Sequence, residues 1–226
     1  MSSAGRGERG GGENDYFPTP AWCCARLLER FKLPNGFIVE PSAGDGAIVR
    51  ACGGNTEYRR WFTCEIDPRF AGDLDRLGVH VTVADFLKMA SLVSNAVSLV
   101  IGNPPYSLAE QFVRHSRAIF PDAEIVFLLR VNFLGSEDRI ALYRELGVPN
   151  IFVLPNRPPF SRNKTGKIGT DSCEYAWFHW PAIPSERGRV EILGSTPAKV
   201  RADHVRELTE KLEQFNNPFC VTGNAG

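Results

Sequence analysis

The stretch Phe37-Ile-Val-Glu-Pro-Ser-Ala-Gly-Asp-Gly46 decides how this chain is read. Its first four residues form a short apolar strand, and 46–52 reads as a helix. A glycine turn thus joins a strand to a helix, which is where open α/β sheets bind ligands, outside the carboxyl ends of their strands. Working outward, apolar strands are expected over 61–66, 79–83, 96–101 and 125–131. Helices are expected over 67–77, from Ser107 onward with Glu110 at capping-box spacing, and over 136–146 with Gly147 closing it. Upstream, Thr19-Pro20 reads as an N-cap followed by a first-turn proline. Trp22, Ala25, Leu28 and Phe31 then lie on the buried face of a helix ending near Pro34. Continuous apolar strands alternating with helices imply a parallel sheet covered on both faces. The expected fold is a doubly wound, largely parallel, Rossmann-like α/β sheet.

Beyond residue 147 the character changes. Strands are expected over 151–154 and 173–180, the second (CEYAWFHW) as an added antiparallel strand serving as core and sheet edge. Between them runs a loop, 155–172, whose Arg157, Arg162, Lys164 and Lys167 stand in a stretch (146–170) without an acid. A final helix is expected over 202–215, with Val205, Leu208, Leu212 and Phe215 on one side. The domain plan is a glycine-rich flexible arm over 1–14, a catalytic domain over 15–180, and an extension over 181–226.

Composition limits the function classes. The 226 residues are 43% hydrophobic, enough for a proper core, and 26 basic residues balance 26 acidic ones, so any surface for a polyanion is local. No apolar run reaches the ~18 residues that cross a bilayer, and 1–14 has no hydrophobic segment, so an intracellular, cytoplasmic protein is expected. Six cysteines without a Cys-x-x-Cys pair read as reduced, mostly buried thiols rather than a metal site.

Gly44 and Gly46 allow a ligand close to the backbone, but Val49 stands where a dinucleotide fingerprint requires a third glycine. Glu40 before the turn suits a cation rather than a pyrophosphate. Glu65, followed by Ile66, ends the next strand where a ribose would be gripped, and Asp85 with Phe86 ends the third, placed for an adenine. A cationic ligand carrying ribose and adenine but no pyrophosphate describes S-adenosylmethionine. The fourth strand ends in Asn103-Pro-Pro-Tyr106, a rigid corner on the same sheet edge. An amide oxygen and the Pro104 carbonyl can converge on one NH2 group, while Tyr106 supplies a stacking face and Pro105 removes backbone freedom.

FPTP (17–20), EPSAGDG (40–46), EID (65–67), ADF (84–86) and NPPY (103–106), in that order, resemble the motifs of S-adenosylmethionine-dependent DNA adenine-N6 methyltransferases. The cofactor-first order is similar to the gamma class, and the short chain looks phage-like. The resemblance implies that Tyr16, Phe17 and Thr19 help hold the methionine end, with Glu40, Ser42, Gly44 and Gly46 beneath it. It further implies Glu65 on the ribose, Asp85 and Phe86 on the adenine, Asn103 and Pro104 on the target amine, and Tyr106 against a flipped base in duplex DNA. Phe160 is the candidate second aromatic, and the four basic loop residues are candidate phosphate contacts. Related chemistry on protein glutamine, RNA guanine N2 or cytosine N4 stays open, as does a non-catalytic binding module.

Overall fold

A computed structural model of the protein describes residues 18–90, 97–162, 167–170, 172–183, 186 and 188–215. In chain order the elements are α1 (Ala21–Leu28), β1 (Gly36–Glu40), α2 (Ala47–Ala51), β2 (Arg59–Glu65), α3 (Ala71–Asp75), β3 (His80–Val83), β4 (Val97–Gly102) and α4 (Ala109–Ile119). There follow β5 (Glu124–Arg130), α5 (Ile140–Leu146), β6 (Asn150–Leu154), β7 (Ser161–Arg162), β8 (Ile168–Gly169), β9 (Tyr175–Trp180), β10 (Val190–Ile192) and α6 (Ala198–Phe215).

Eight strands form one sheet in the order β10-β6-β9-β5-β4-β1-β2-β3. Every neighbouring pair is parallel except the two that involve β9, which runs antiparallel to both β5 and β6. This is the expected doubly wound sheet with one reversed strand. β9 is not a sheet edge, however: it lies between β5 and β6, and all six of its residues are buried.

The alternation of side chains along the strands feeds two apolar layers. One face carries Val39, Val100, Ile125, Phe127, Phe178 and Trp180 against α4 and α5. The other carries Ile38, Leu99, Ile101, Val126, Leu128 and Trp177 against α1 and α2. Each buried indole of β9 removes roughly 150–250 Å² from water, an upper bound of about 4–6 kcal/mol. The Trp177 indole N–H donates to the Cys23 carbonyl at 3.0 Å and that of Trp180 to the Gly147 carbonyl at 3.2 Å, so neither polar edge is stranded.

Several local expectations are corrected. Pro20, not Thr19, holds the N-cap position of α1, and the helix stops at Leu28, so its buried face is Trp22, Cys23, Cys24 and Leu27, with Ala25 exposed. Phe31 still packs on that layer from beyond the helix end. Ser107 does not cap α4: a 3-10 turn over Tyr106–Leu108 intervenes, and Glu110 pairs with Arg114 at 2.9 Å instead of reaching back to a cap. The helix expected over 67–77 is a 3-10 turn, Pro68–Phe70, followed by the short α3. Within the loop after β6, β7 and β8 pair as a two-stranded ribbon. The segment after residue 180 supplies a strand as well as a helix, since β10 pairs with β6 in the main sheet, and α6 begins earlier, at Ala198. Cys23, Cys24, Cys52 and Cys64 are buried free thiols and Cys173 is partly exposed, while Cys220 and the 1–14 arm lie outside the described residues. No helix among the described residues is long and apolar enough to cross a membrane.

Candidate functional site

The strand order reverses between β1 and β4: β2 and β3 are added on one side of β1, and β5 on the far side of β4. Crevices at such a switch point are where open α/β sheets bind ligands. The turn after β1 and the corner after β4 meet there. A Cβ on Gly102 would lie 3.3 Å from Pro41 Cδ, so the two segments approach closely and glycine at the end of β4 lets them do so without displacing Pro41.

The turn is built on left-handed backbone at Gly44 (φ 51°) and Gly46 (φ 77°). It is tied to β2 by Glu65, whose Oε2 accepts from the Gly44 N–H at 2.6 Å and whose Oε1 accepts from the Asp67 N–H at 2.9 Å. Each oxygen keeps a second lone pair, so the carboxylate can still accept from a diol. Ile66 beside it is 67% exposed, an apolar side chain left uncovered at the strand tip. At the β3 tip, Asp85 caps a 3-10 turn by accepting from the Leu87 N–H at 3.1 Å, with Lys88 Nζ 3.3 Å from its other oxygen. Phe86 does not offer a free ring face: it is 2% exposed, stacked on Phe112 at 5.5 Å and edge-on to His115.

Glu40 is a buried carboxyl behind the turn. Desolvation first, then the neighbouring Cys52 and Glu65, hold it well above the usual carboxylate range. Its Oε2 has no hydrogen-bond partner, and the same is true of the buried Ser42 Oγ, Asp45 Oδ1 and Asn103 Oδ1. Each such orphan costs about 1–3 kcal/mol. Four of them along one turn and one corner fit a ligand that supplies donors, which S-adenosylmethionine does through its ammonium and hydroxyls.

At the corner, Asn103 Nδ2 donates to the Thr19 hydroxyl at 3.2 Å, joining the segment before α1 to the segment after β4. Tyr106 is half-buried, with its ring 5.6 Å from that of Tyr175 and the Arg130 guanidinium 4.8 Å from its centroid. Burial, then the adjacent Tyr175, push its phenol well above the ordinary value. Phe160 is 7% exposed, edge-on to Tyr175 at 5.2 Å, and belongs to the apolar layer on which Tyr106 also packs.

The structure therefore brings together Thr19, Glu40, Ser42, Gly44, Gly46, Glu65, Asn103, Tyr106 and, one ring further, Phe160. Tyr16, Phe17, Lys164 and the Arg162 side chain lie outside the described residues. Arg157 does not stand alone in its acid-free stretch: Glu174, just past that stretch, accepts from its Nε at 3.0 Å. Lys167 is exposed. Sequence reasoning overlooked Arg130 and Tyr175 behind Tyr106. It also overlooked Asp45, which is 1% exposed and paired with Arg50 at 2.6 Å and with Lys211 from α6. Asp45 lies in the quoted turn, but nothing local marks it as the anchor of a helix far along the chain.

No family model and no curated protein matches the sequence. Solved structures do match by fold. A Vibrio vulnificus YJ016 protein, assigned as the modification subunit of a type I restriction enzyme, superposes at TM-score 0.55 and 11% identity over 95% of this chain and 55% of that one. An Agrobacterium tumefaciens protein, assigned as an O-methyltransferase, gives TM-score 0.53 and 18% identity over 85% and 96% of the two chains. A dimethyladenosine transferase from Plasmodium falciparum gives 0.51 and 13% over 73% and 62%. This chain thus spans little more than half of the Vibrio protein. With a mostly parallel α/β sheet, one reversed strand and these neighbours, its fold is that of the class I methyltransferases.

Proposed function

We propose that this protein transfers a methyl group from S-adenosylmethionine to the exocyclic N6 of adenine in DNA, on a base turned out of the duplex. The observation that carries the reading is the unpartnered, buried Asn103 Oδ1 beside the glycine turn. An aromatic amine is a weak nucleophile because its lone pair is delocalised into the ring. Asn103 Oδ1 and the Pro104 carbonyl accept its two hydrogens and draw them out of the ring plane, so the lone pair localises on nitrogen. Thr19 holds the Asn103 side chain through Nδ2, and the two prolines fix the backbone in advance. Tyr106 offers its ring to the base, with its own orientation set by Tyr175 and Arg130. When bound, the sulfonium supplies an electrophilic methyl on a neutral leaving group. Flipping a paired adenine costs a few kcal/mol, which stacking on Tyr106 offsets by about 1–3 kcal/mol. The modification-subunit neighbour accords with a DNA substrate, as does the basic loop after β6.

The test is transfer of labelled methyl from S-adenosylmethionine to duplex DNA, single-stranded DNA, RNA and a protein extract offered in parallel. Label recovered as N6-methyladenine in DNA, and reduced about 10²–10³-fold by Asn103→Ala, is the expected result. Label in protein or RNA instead overturns the substrate. Tight cofactor binding without transfer to any of them overturns the activity.

A further inference from the structure

Apart from the glycine turn and the corner, the tip of β6 opens into a cavity of about 400 Å³. Its apolar lining is only Leu154 and Pro155, so an aromatic ring or an alkyl chain would gain little there. Three charged side chains line it: Arg157 from the loop after β6, Glu174 just before β9, and Arg201 in the first turn of α6. Two guanidiniums thus stand against one carboxylate. Arg157 donates to Glu174 Oε1 through Nε and Nη2, which leaves its Nη1 without a bond among the described residues. Arg201 meets no carboxylate among them: its Nε donates to the Thr196 carbonyl at 3.1 Å, and both η nitrogens are uncommitted. That bond also fixes where the guanidinium stands. Thr196 is 3% exposed and its N–H donates to Asn156 Oδ1 at 2.6 Å, so it is tied to the cavity wall at both backbone groups. Arg201 is therefore oriented before any ligand arrives, which spares part of the ordering cost of binding.

Spare, forked N–H donors on two cations match an anion with several acceptor oxygens, and phosphate is such a group. The Arg157 and Glu174 side chains are 46% and 54% exposed, so the cavity is open to water and admits a phosphate that remains part of a chain. Exposed ion pairs contribute little, so a phosphate can compete with Glu174 for Arg157. The position suits a strand passing the transfer site. Leu154 is paired with Tyr175 across β6 and β9, and the Tyr175 ring lies 5.6 Å from that of Tyr106. β5 and β9 separate β4 from β6, three strand spacings or roughly 14 Å. One strand of DNA presents a phosphate about every 3.4 Å of helix axis, so that span covers about four nucleotides.

We infer that the cavity at the tip of β6 seats a backbone phosphate of the DNA strand that carries the target adenine, with Arg201 as its main contact and Glu174 opposing it. The inference rests on the DNA reading given above and gives the C-terminal helix a part in holding that substrate.

The test measures the affinity of the full-length protein for labelled duplex DNA by fluorescence anisotropy, over about 50 to 200 mM salt. The wild type is compared with Arg201→Gln and Glu174→Gln. Glutamine places an amide nitrogen where Arg201 has Nε, so the bond to Thr196 can be kept while the charge and the η nitrogens are removed. Arg201→Gln should bind about tenfold more weakly, and its plot of log affinity against log salt should be flatter by about 0.9, the loss of one phosphate contact. Glu174→Gln should bind more tightly than the wild type. If Arg201→Gln loses affinity and melting temperature together while the salt slope stays at the wild-type value, the arginine only holds Thr196 and the inference fails. If the wild type binds DNA and neither substitution changes the binding, the cavity takes no phosphate of the strand, and the inference fails while the DNA reading stands. Calorimetry with inorganic phosphate separates a second source. Phosphate bound by the wild type and lost in Arg201→Gln, with DNA binding unchanged, means that the cavity takes free phosphate and overturns the backbone assignment. A wild type that binds no DNA sinks the DNA reading itself.

Discussion

Gly46 gives the turn its sharpest test, because the structure separates two effects of adding a single methyl group. At φ 77° an alanine sits in the left-handed region, and its Cβ would also lie 2.4 Å from Leu77 Cδ1 and 3.0 Å from Leu74 Cδ2. Gly53 has nearly the same backbone, φ 85°, but nothing within 4 Å of its would-be Cβ. Both substitutions incur the left-handed penalty of about 1–2 kcal/mol. Both also gain about 0.4–1 kcal/mol from a stiffer unfolded chain. Only Gly46→Ala overpacks a filled site, which adds about 1–3 kcal/mol. Half-buried Leu77 can swing aside, but Leu74 is fully buried and cannot. Gly46→Ala should therefore melt about 2–12 °C below Gly53→Ala, at about 2–4 °C per kcal/mol for a chain of this size. Scanning calorimetry and urea unfolding of the two variants side by side give the comparison. Equal losses would refute the argument, since they would mean that the turn does not pack against α3 as described.

Two further outcomes follow from the site. Glu40 is held above its unfolded value, so between that value and its higher folded one the native state binds more protons than the unfolded state, and stability falls as pH rises. Glu40→Gln should remove this slope above about pH 4.5, so that the variant gains on the wild type from pH 5 to pH 8 in urea unfolding; parallel pH profiles would show that the carboxyl is not desolvated. Tyr106 acts through its ring face, so Tyr106→Phe should bind single-stranded oligonucleotides carrying 2-aminopurine in place of adenine as the wild type does. Tyr106→Ala should lose about 1–3 kcal/mol of that affinity, and a phenylalanine variant as weak as the alanine one would move the role to the hydroxyl.

The strands were legible because each core strand is a run of apolar residues long enough to be buried on both faces, as in Glu124–Arg130. Their tips were legible because Glu40, Glu65, Asp85 and Asn103 each interrupt such a run. What escaped was set by contacts distant in sequence or by very short elements. β10 is three residues long, Val-Glu-Ile on an edge, too brief for any periodicity. The pairing of Lys211 with Asp45 spans 166 residues. The 3-10 turn at 68–70 opens on Pro68 and that at 106–108 follows Pro105; prolines favour a tight first turn but do not disclose that it will be 3-10. An aromatic at a strand tip was read as a stacking face, yet Phe86 turns inward because its 3-10 turn packs it onto Phe112 of α4. Arg157 looked unbalanced because its partner Glu174 comes 17 residues later in the chain.

The orphaned atoms constrain the ligand more tightly than the motifs do. Glu40 Oε2, Asp45 Oδ1 and Asn103 Oδ1 can accept, and Ser42 Oγ can accept as well as donate. A pyrophosphate brings only acceptors, so a dinucleotide here would leave these oxygens facing like charge, while an ammonium or an aromatic amine pairs with them directly. Glu40 sharpens the discrimination. Burial holds its carboxyl well above the usual carboxylate range, and a cation nearby favours the ionised form, so a positively charged ligand lowers the cost of ionising this buried group where a neutral or anionic one does not. On the proposed function, the same acceptors would suit a cationic donor at the turn and an NH2 group at the corner, and Thr19, which accepts from Asn103 and lines a cavity with Asp45, lies between the two segments.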